Sequence, residues 1–248
     1  MACGSVVEVV AGDIAEEEVD VVINAANSLS FTAMDCGVSG VSVPSTQAGV
    51  QLAEGGLAVR GVRYVVHAVG PIWTDWPVAR ATFAKVVPRI RRTVRRALTA
   101  AERVVAALDS VRSQSGRAGP AGDGDRPDTV EEDVGVEVRD DGLAPGGESV
   151  MMASVAVPAI SGGIFTHYSA TSKIKAAEQM AARTAVVEAV MRWLARRREN
   201  GTSRHVWNIR LVDICPRGVA MFAKAFDVAL AAEGEADIGE SGTVRAEE

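Results

Sequence analysis

The sequence is poor in residues that would mark several familiar classes of protein. Cysteine occurs only at Cys3, Cys36 and Cys215, an odd number at wide spacing, which argues against a disulfide framework or a paired Cys-x-x-Cys knuckle and fits a reducing compartment. Histidine is equally scarce, and His67, His167 and His205 show no metal-ligand spacing with the cysteines, so no metal is expected. No apolar run reaches bilayer-spanning length. Met1 to Ser5 lead directly into a strand-like run, without a basic segment and apolar stretch of signal-peptide form. A soluble intracellular protein, cytoplasmic or nuclear and without a membrane partner, is expected. Basic residues are outnumbered, 26 Lys and Arg against 32 Asp and Glu for a net charge of −6, so a globally basic surface that holds nucleic acid by charge alone is not indicated.

What is present is apolar: 48% of the 248 residues are hydrophobic, enough for one large core. β-Branched residues crowd into Val6 to Val10, Val19 to Ile23, Tyr64 to Val69, Val155 to Ile160 and Val206 to Ile214. Each run is almost continuously apolar at its centre, as in strands covered on both faces. Between them, Val87, Ile90, Val94, Ala97, Leu98, Ala101, Val105 and Leu108 recur at helical spacing, with Arg89, Arg92, Arg96 and Arg103 on what reads as a solvated basic face. A second helix carries Ile174, Ala177, Ala181, Thr184, Val187, Met191 and Leu194, and closes on Arg196 to Arg198 before Gly201. A third starts near Pro216 with Val219, Phe222, Phe226 and Leu230 on one face and stops by Gly234. The pattern predicts an α/β fold, a three-layer α/β/α sandwich on a mixed, mostly parallel sheet. One domain over 1–233 is expected, interrupted by a disordered insertion at 110–148, where Gly, Pro, Ser and charged residues replace apolar periodicity, and followed by a disordered tail at 234–248.

Three loops follow strand-like runs, where open α/β sheets bind ligands. In Gly12-Asp13-Ile14 a carboxylate can accept from an exocyclic amine while the next backbone N–H donates to a ring nitrogen. In Asn24-Ala25-Ala26-Asn27-Ser28, continued by Met34 to Gly40, small residues permit close approach and the carboxamides suit ribose hydroxyls. In Pro158 to Thr166 a Gly162-Gly163 pair ahead of a helix makes an anion cradle, and the lack of a lysine argues against a Walker-type site. No Gly-x-Gly-x-x-Gly follows the first strand, which counts against a dinucleotide-type site. These features describe a pocket for a phosphorylated sugar nucleotide held largely by backbone. His67, inside an apolar run, reads as a packed core imidazole; Trp73 and Trp76 read as packing residues of a surface loop.

Gly12-Asp13-Ile14, Val22 to Ser28, Tyr64 to Pro71 and Pro158 to Phe165, in this order, resemble the macrodomain family, and the resemblance extends over nearly everything outside the insertion and tail. It implies that the chain binds ADP-ribose or a mono-ADP-ribosylated protein, without a cofactor. By the same resemblance Asp13 and Ile14 meet the adenine, Asn27 and the weaker candidate Asn24 face the distal ribose, and Gly37, Val38 and Ser39 line that sugar. Ser161, Gly162, Gly163, Ile164 and Phe165 would wrap the diphosphate, with Phe165 also against the ribose. Ile214 stands where many members stack an aromatic ring on the base. Many catalytic members carry three glycines where this chain has Asp35-Cys36-Gly37 and an aspartate where it has Ser39. Hydrolysis of the protein-linked ADP-ribose is therefore the alternative, with Asn27 supporting the sugar and Asp35 the nearest substitute for the lost carboxylate. RNA binding or scaffolding through the basic helix is the third reading.

Overall fold

The computed structural model describes residues 4–26, 48–75, 80–115, 151–163, 166, 171–200 and 205–240. Strands β1 (Val6–Ala11), β2 (Val21–Ala26), β3 (Ala48–Leu52), β4 (Tyr64–Val69), β5 (Met151–Pro158) and β6 (His205–Asp213) alternate with helices α1 (Gly55–Val59), α2 (Arg80–Ser115), α3 (Ser172–Asn200) and α4 (Pro216–Glu240). The strands form one sheet in the order β1-β6-β5-β2-β4-β3, in which every pairing is parallel except that of β3 with β4 at the edge. This is the mixed, mostly parallel sheet expected from the apolar runs.

Alternation along the strands explains why the central runs, β2, β4 and β5, are almost continuously apolar. Val21, Ile23, Val66, Ala68, Ala153, Val155, Val157, Ile209 and Leu211 join one core with α2, α3 and α4. Their neighbours Val22, Val65, Ala156 and Val212 point the other way, into a smaller core with Val19, Leu57 of α1 and Val62. Successive side chains on a strand face opposite sides, so a sheet with two covers needs apolar residues at both parities. No helix among the described residues is long and apolar enough to cross a membrane.

Helix α3 differs from its sequence pattern. Ala177 is exposed, and Ile174, Ala181 and Thr184 are only half-buried, while Ala182, Arg183, Ala185, Val186, Ala189, Val190 and Trp193 are buried. The cause is its position: α3 packs between α2 and α4 and meets the sheet through Trp193 against Trp207 of β6, so its buried arc is wider than the single stripe of a surface helix. Inside that arc Arg197 pairs with Glu102 of α2 and lies over the rings of Trp193 and Trp207, at 4.6 and 5.7 Å. Burial lowers the Arg197 pKa from its ordinary value.

Helical structure also runs further than the composition implied. Helix α2 extends to Ser115, so 110–115 belong to it rather than to the insertion, and α4 extends to Glu240 across the first residues of the expected tail. In α4 the extension runs through Gly234 and Gly239, both poor helix formers. Residues 116–150 and 241–248 lie outside the described residues. Strand β3 and helix α1 were not expected at all: β3 holds only three apolar side chains, and α1 is one short turn beginning at Gly55-Gly56.

At the end of the sheet far from the strand C-termini, Asp20 joins β2 to β5. Its Oδ2 accepts from both N–H and O–H of Ser154, at 2.9 and 2.8 Å, while its own N–H donates to Ser154 Oγ at 2.9 Å. Asp20→Ala leaves the Ser154 donors without their acceptor. It is expected to lower unfolding free energy by about 1–3 kcal/mol in urea denaturation, with an unchanged slope against urea.

Candidate functional site

Because five strands are parallel, their C-terminal ends share one edge, and three of the loops singled out in the sequence leave the sheet there. The pairing Ala11 with Asp213 puts the exits of β1 and β6 side by side, and Gly12 N–H donates to Asp213 C=O at 3.2 Å. Asp13 then caps the one-turn 3-10 helix Ile14–Glu16, its Oδ1 accepting from Ala15 N–H at 3.0 Å. As the first residue of that turn, Ile14 has its N–H outside the helical ladder. The exposed Asp13 carboxylate thus has one oxygen committed to the turn. Behind it, buried Glu17 pairs with Arg210 of β6. Ile214, directly after β6, is 75% exposed, so an apolar side chain faces solvent at this edge.

The loop after β5 is the most constrained part of the edge. Ser161 sits at φ +59°, the left-handed region, although it is not glycine, and its Oγ is buried without a hydrogen-bond partner among the described residues. Such a conformation costs of order 1–3 kcal/mol and persists only where the surroundings enforce it. Three contacts do so. Trp73, fully buried, donates from Nε1 to Ser161 C=O at 2.9 Å and packs edge-on against Phe83, 5.2 Å between ring centroids. Gly70, at the end of β4, allows the loop to press in, for a Cβ there would stand 2.3 Å from Ser161 Oγ and 2.6 Å from Ile160 Cγ2. Arg183 of α3 reaches Gly162 C=O from below at 3.5 Å.

Arg183 is tied in turn to the exit of β6. Its Nη2 and Nε lie 2.5 and 3.1 Å from Asp213 Oδ2, with both side chains buried. Its Nη1 also donates to Gln179 C=O at 3.1 Å, and its guanidinium stands 5.6 Å from the centre of the Phe222 ring. The remaining oxygen of Asp213 accepts from Cys215 N–H at 3.0 Å and fixes the turn into α4. Gly218 has no side chain because one would stand about 2.2 Å from that carboxylate. A single buried ion pair therefore sets both the loop after β5 and the turn after β6.

Within the loop Gly162 N–H is used internally, donating to Ala159 C=O at 3.0 Å, and Thr166 closes the turn on Gly163 C=O through N–H and Oγ1. The N–H groups of Ser161 and Gly163 have no partner among the described residues. Two backbone donors without a partner among the described residues, on a strained turn, can hold an anion with no charged side chain at the point of contact.

Asn24 has a place inside the sheet. Register pairs it with His67, and its Nδ2 donates to His67 Nδ1 at 3.2 Å while His67 Nε2 donates to Gln51 Oε1 at 3.3 Å. These contacts select the neutral imidazole with its proton on Nε2. Full burial lowers the His67 pKa from its ordinary value. The packed core histidine expected from the sequence is found, and it engages the amide of Asn24. Of the other expected site residues, Asn27, Asp35, Gly37, Val38, Ser39, Ile164 and Phe165 lie outside the described residues, as do Cys36, Trp76 and His167. The structure brings together Asp13, Ile14, Ser161, Gly162, Gly163 and Ile214 along one edge, with Asn24 on the adjoining β2. Sequence reading missed the part played here by Gly70, Arg183 and Asp213, and it read Trp73 as a packing residue, which it is, without its hydrogen bond to Ser161. Gly70 and Trp73 had a usable signal, a glycine closing a buried strand and an indole three residues later. For Arg183, within a helix pattern, there was none.

No family profile matches the chain, and no curated protein does. Solved structures do, at low identity. A macrodomain of Oceanobacillus iheyensis with MES bound superposes with TM-score 0.52 at 16% identity over 94% of this chain and 96% of that one. The same macrodomain with ADP gives 0.51 at 14% identity over 94% and 95%, and a variant of it with ADPR gives 0.52 at 15% over 93% and 97%. The chain has the macrodomain fold. Its loop after β5 rests on the indole of Trp73 and the guanidinium of Arg183.

Two expected outcomes follow from the geometry. Gly70→Ala must push the loop at Ser161 outward, and lost packing of a few tenths of an ångström or more at a rigid site is expected to destabilise by about 1–3 kcal/mol, read as a lowered thermal midpoint. His67 gives a pH dependence: its folded pKa lies below the unfolded value of about 6.5, so the unfolded chain binds the proton more readily. The stability from His67 is complete above that pH and is lost as pH falls below it. The difference in urea midpoint between the wild type and His67→Gln is expected to be constant from pH 8 to 7 and to change in favour of the variant below about 6.5.

Proposed function

We propose that this chain binds ADP-ribose, free or attached to protein, at the C-terminal edge of its sheet. The observation that carries the reading is the loop after β5: Ser161 is held in a left-handed conformation by Gly70, Trp73 and Arg183, and the Ser161 and Gly163 N–H groups have no acceptor among the described residues. A diphosphate is a ligand that two backbone donors on one tight turn favour. Beside it, the second Asp13 oxygen and the Ile14 N–H offer the acceptor and donor that an adenine edge requires. The exposed Ile214 supplies an apolar contact for the base in place of an aromatic one, which stacks more strongly by about 1–3 kcal/mol in nucleic-acid sites. The related macrodomain held ADP in one structure and ADPR in another, which supports the same ligand class.

Calorimetric titration of ADP-ribose tests this. Dissociation in the micromolar range, about −8 kcal/mol, is expected for the wild type. Asp13→Asn keeps an acceptor for Ala15 N–H but replaces the other oxygen by a donor, so it is expected to weaken ADP-ribose about tenfold or more while leaving the fold intact. Equal affinity in the two proteins overturns the adenine assignment, and no heat with either overturns the proposal. Incubating the wild type with a mono-ADP-ribosylated protein separates binding from hydrolysis, since only hydrolysis releases free ADP-ribose.

A further inference from the structure

Helices α2 and α3 enclose a groove of about 290 Å³ lined by Pro88, Arg91, Arg92, Arg95, Ala189, Arg192, Trp193 and Arg196. Five of its eight lining residues are arginines, on a chain whose net charge is −6. Arg91 is matched by Glu188 across the two helices. Arg92, Arg95, Arg192 and Arg196 are exposed, and none has a carboxylate partner among the described residues. The α2 arginines read from the sequence as a solvated face. The structure instead sets Arg92 and Arg95 opposite Arg192 and Arg196, so four uncompensated cations converge on one concavity. Arg192 is nine residues along α3 from Arg183, whose side chain meets the loop after β5, so about 14 Å of helix separates the groove from that contact.

We propose that this groove binds a single nucleic-acid strand by its phosphodiester backbone. Three considerations select that occupant. Axes of packed helices lie about 8–10 Å apart, so the two arginine rows flank one narrow line, which matches a single backbone and not the two of a duplex. A strand carries a charge about every 3.4 Å when stacked, dense enough to meet guanidiniums one helical turn apart on two facing rows. An extended acidic peptide directs alternate side chains away, and only half of its carboxylates face the groove. The guanidinium fork matches phosphate oxygens bidentately. The negative charge elsewhere on the chain does not prevent this, because at physiological ionic strength it is screened beyond about 8 Å. Trp193 is buried beneath Arg197 and offers no stacking platform, so binding reads backbone charge and not base sequence.

The test is fluorescence anisotropy of a labelled oligothymidylate of about 20 nucleotides with the full chain across a salt series. Four phosphate contacts on a single strand give a slope of log affinity against log salt of about −3, a loss of about 50-fold between 50 and 200 mM. Arg92→Gln/Arg95→Gln/Arg196→Gln is expected to reduce that loss to about threefold, with unchanged melting temperature and unchanged ADP-ribose affinity. Oligoadenylate is expected to bind as well as oligothymidylate. Absence of binding at 50 mM salt overturns the proposal, as does binding unaffected by the triple substitution. Polyglutamate of equal charge competing as strongly as the oligonucleotide assigns the groove to an acidic protein partner and also overturns it. Each result stands whether or not the pocket at the sheet edge binds ADP-ribose.

Discussion

The buried pair of Arg183 and Asp213 is the constraint on which the candidate pocket rests. Taking both charges out of water costs several kcal/mol, and their attraction offsets that cost only when the remaining donors and acceptors are satisfied. Here they are: Arg183 also reaches Gly162 and Gln179 carbonyls and lies against Phe222, while Asp213 also accepts from Cys215 N–H. Removing one partner would strand the other, a change that elsewhere costs about 3–5 kcal/mol. What the pair supplies beyond stability is position. Helix α3, the exit of β6, the first turn of α4 and the loop after β5 all meet one guanidinium, so none can shift without disturbing the rest.

The loop after β5 shows what that positioning serves. A left-handed serine with a buried hydroxyl lacking a partner is a local loss of stability, and a free loop would relax away from it. Gly70 gives it room, Trp73 holds its carbonyl and Arg183 holds the next one, so the strain is carried by the core. Donors fixed before a ligand arrives spare it the cost of ordering them, which is how a site with no cation at its contact surface can still hold an anion.

Much of this was legible in the sequence, and the boundary has a physical basis. Five strands announced themselves through β-branched runs; the central β2, β4 and β5 are buried at both parities, while β1 and β6 keep Glu8, Asn208 and Arg210 on their less buried positions. The three ligand loops could be placed because each follows such a run, and position after a strand fixes the edge on which a loop emerges. Strand β3 and helix α1 carried no signal since pairing with β4 and packing of Leu57, both long-range, define them. Which N–H groups stay free was not legible either: Gly162, a natural donor by composition, spends its own on Ala159, while the less permissive Ser161 takes the left-handed turn. The contacts that decide this join residues 88 and 30 positions apart in the chain.

Helix α3 connects the two ends of the argument. Packed by α2 and α4 and by the sheet, it has few positions left for solvent, and each buried charge on it has been given a partner: Asp213 for Arg183 and Glu102 for Arg197. Arg192 and Arg196, at the surface of the same helix, were not. Like charges facing one another across a groove repel by about 1 kcal/mol per close pair even in water, and a chain with 32 acidic residues had material with which to neutralise them, as Glu188 does for Arg91. The contrast between a helix that pairs its hidden cations and leaves its outward ones converging and unmatched is the reason to read the outward set as a surface for an anion rather than as spare charge.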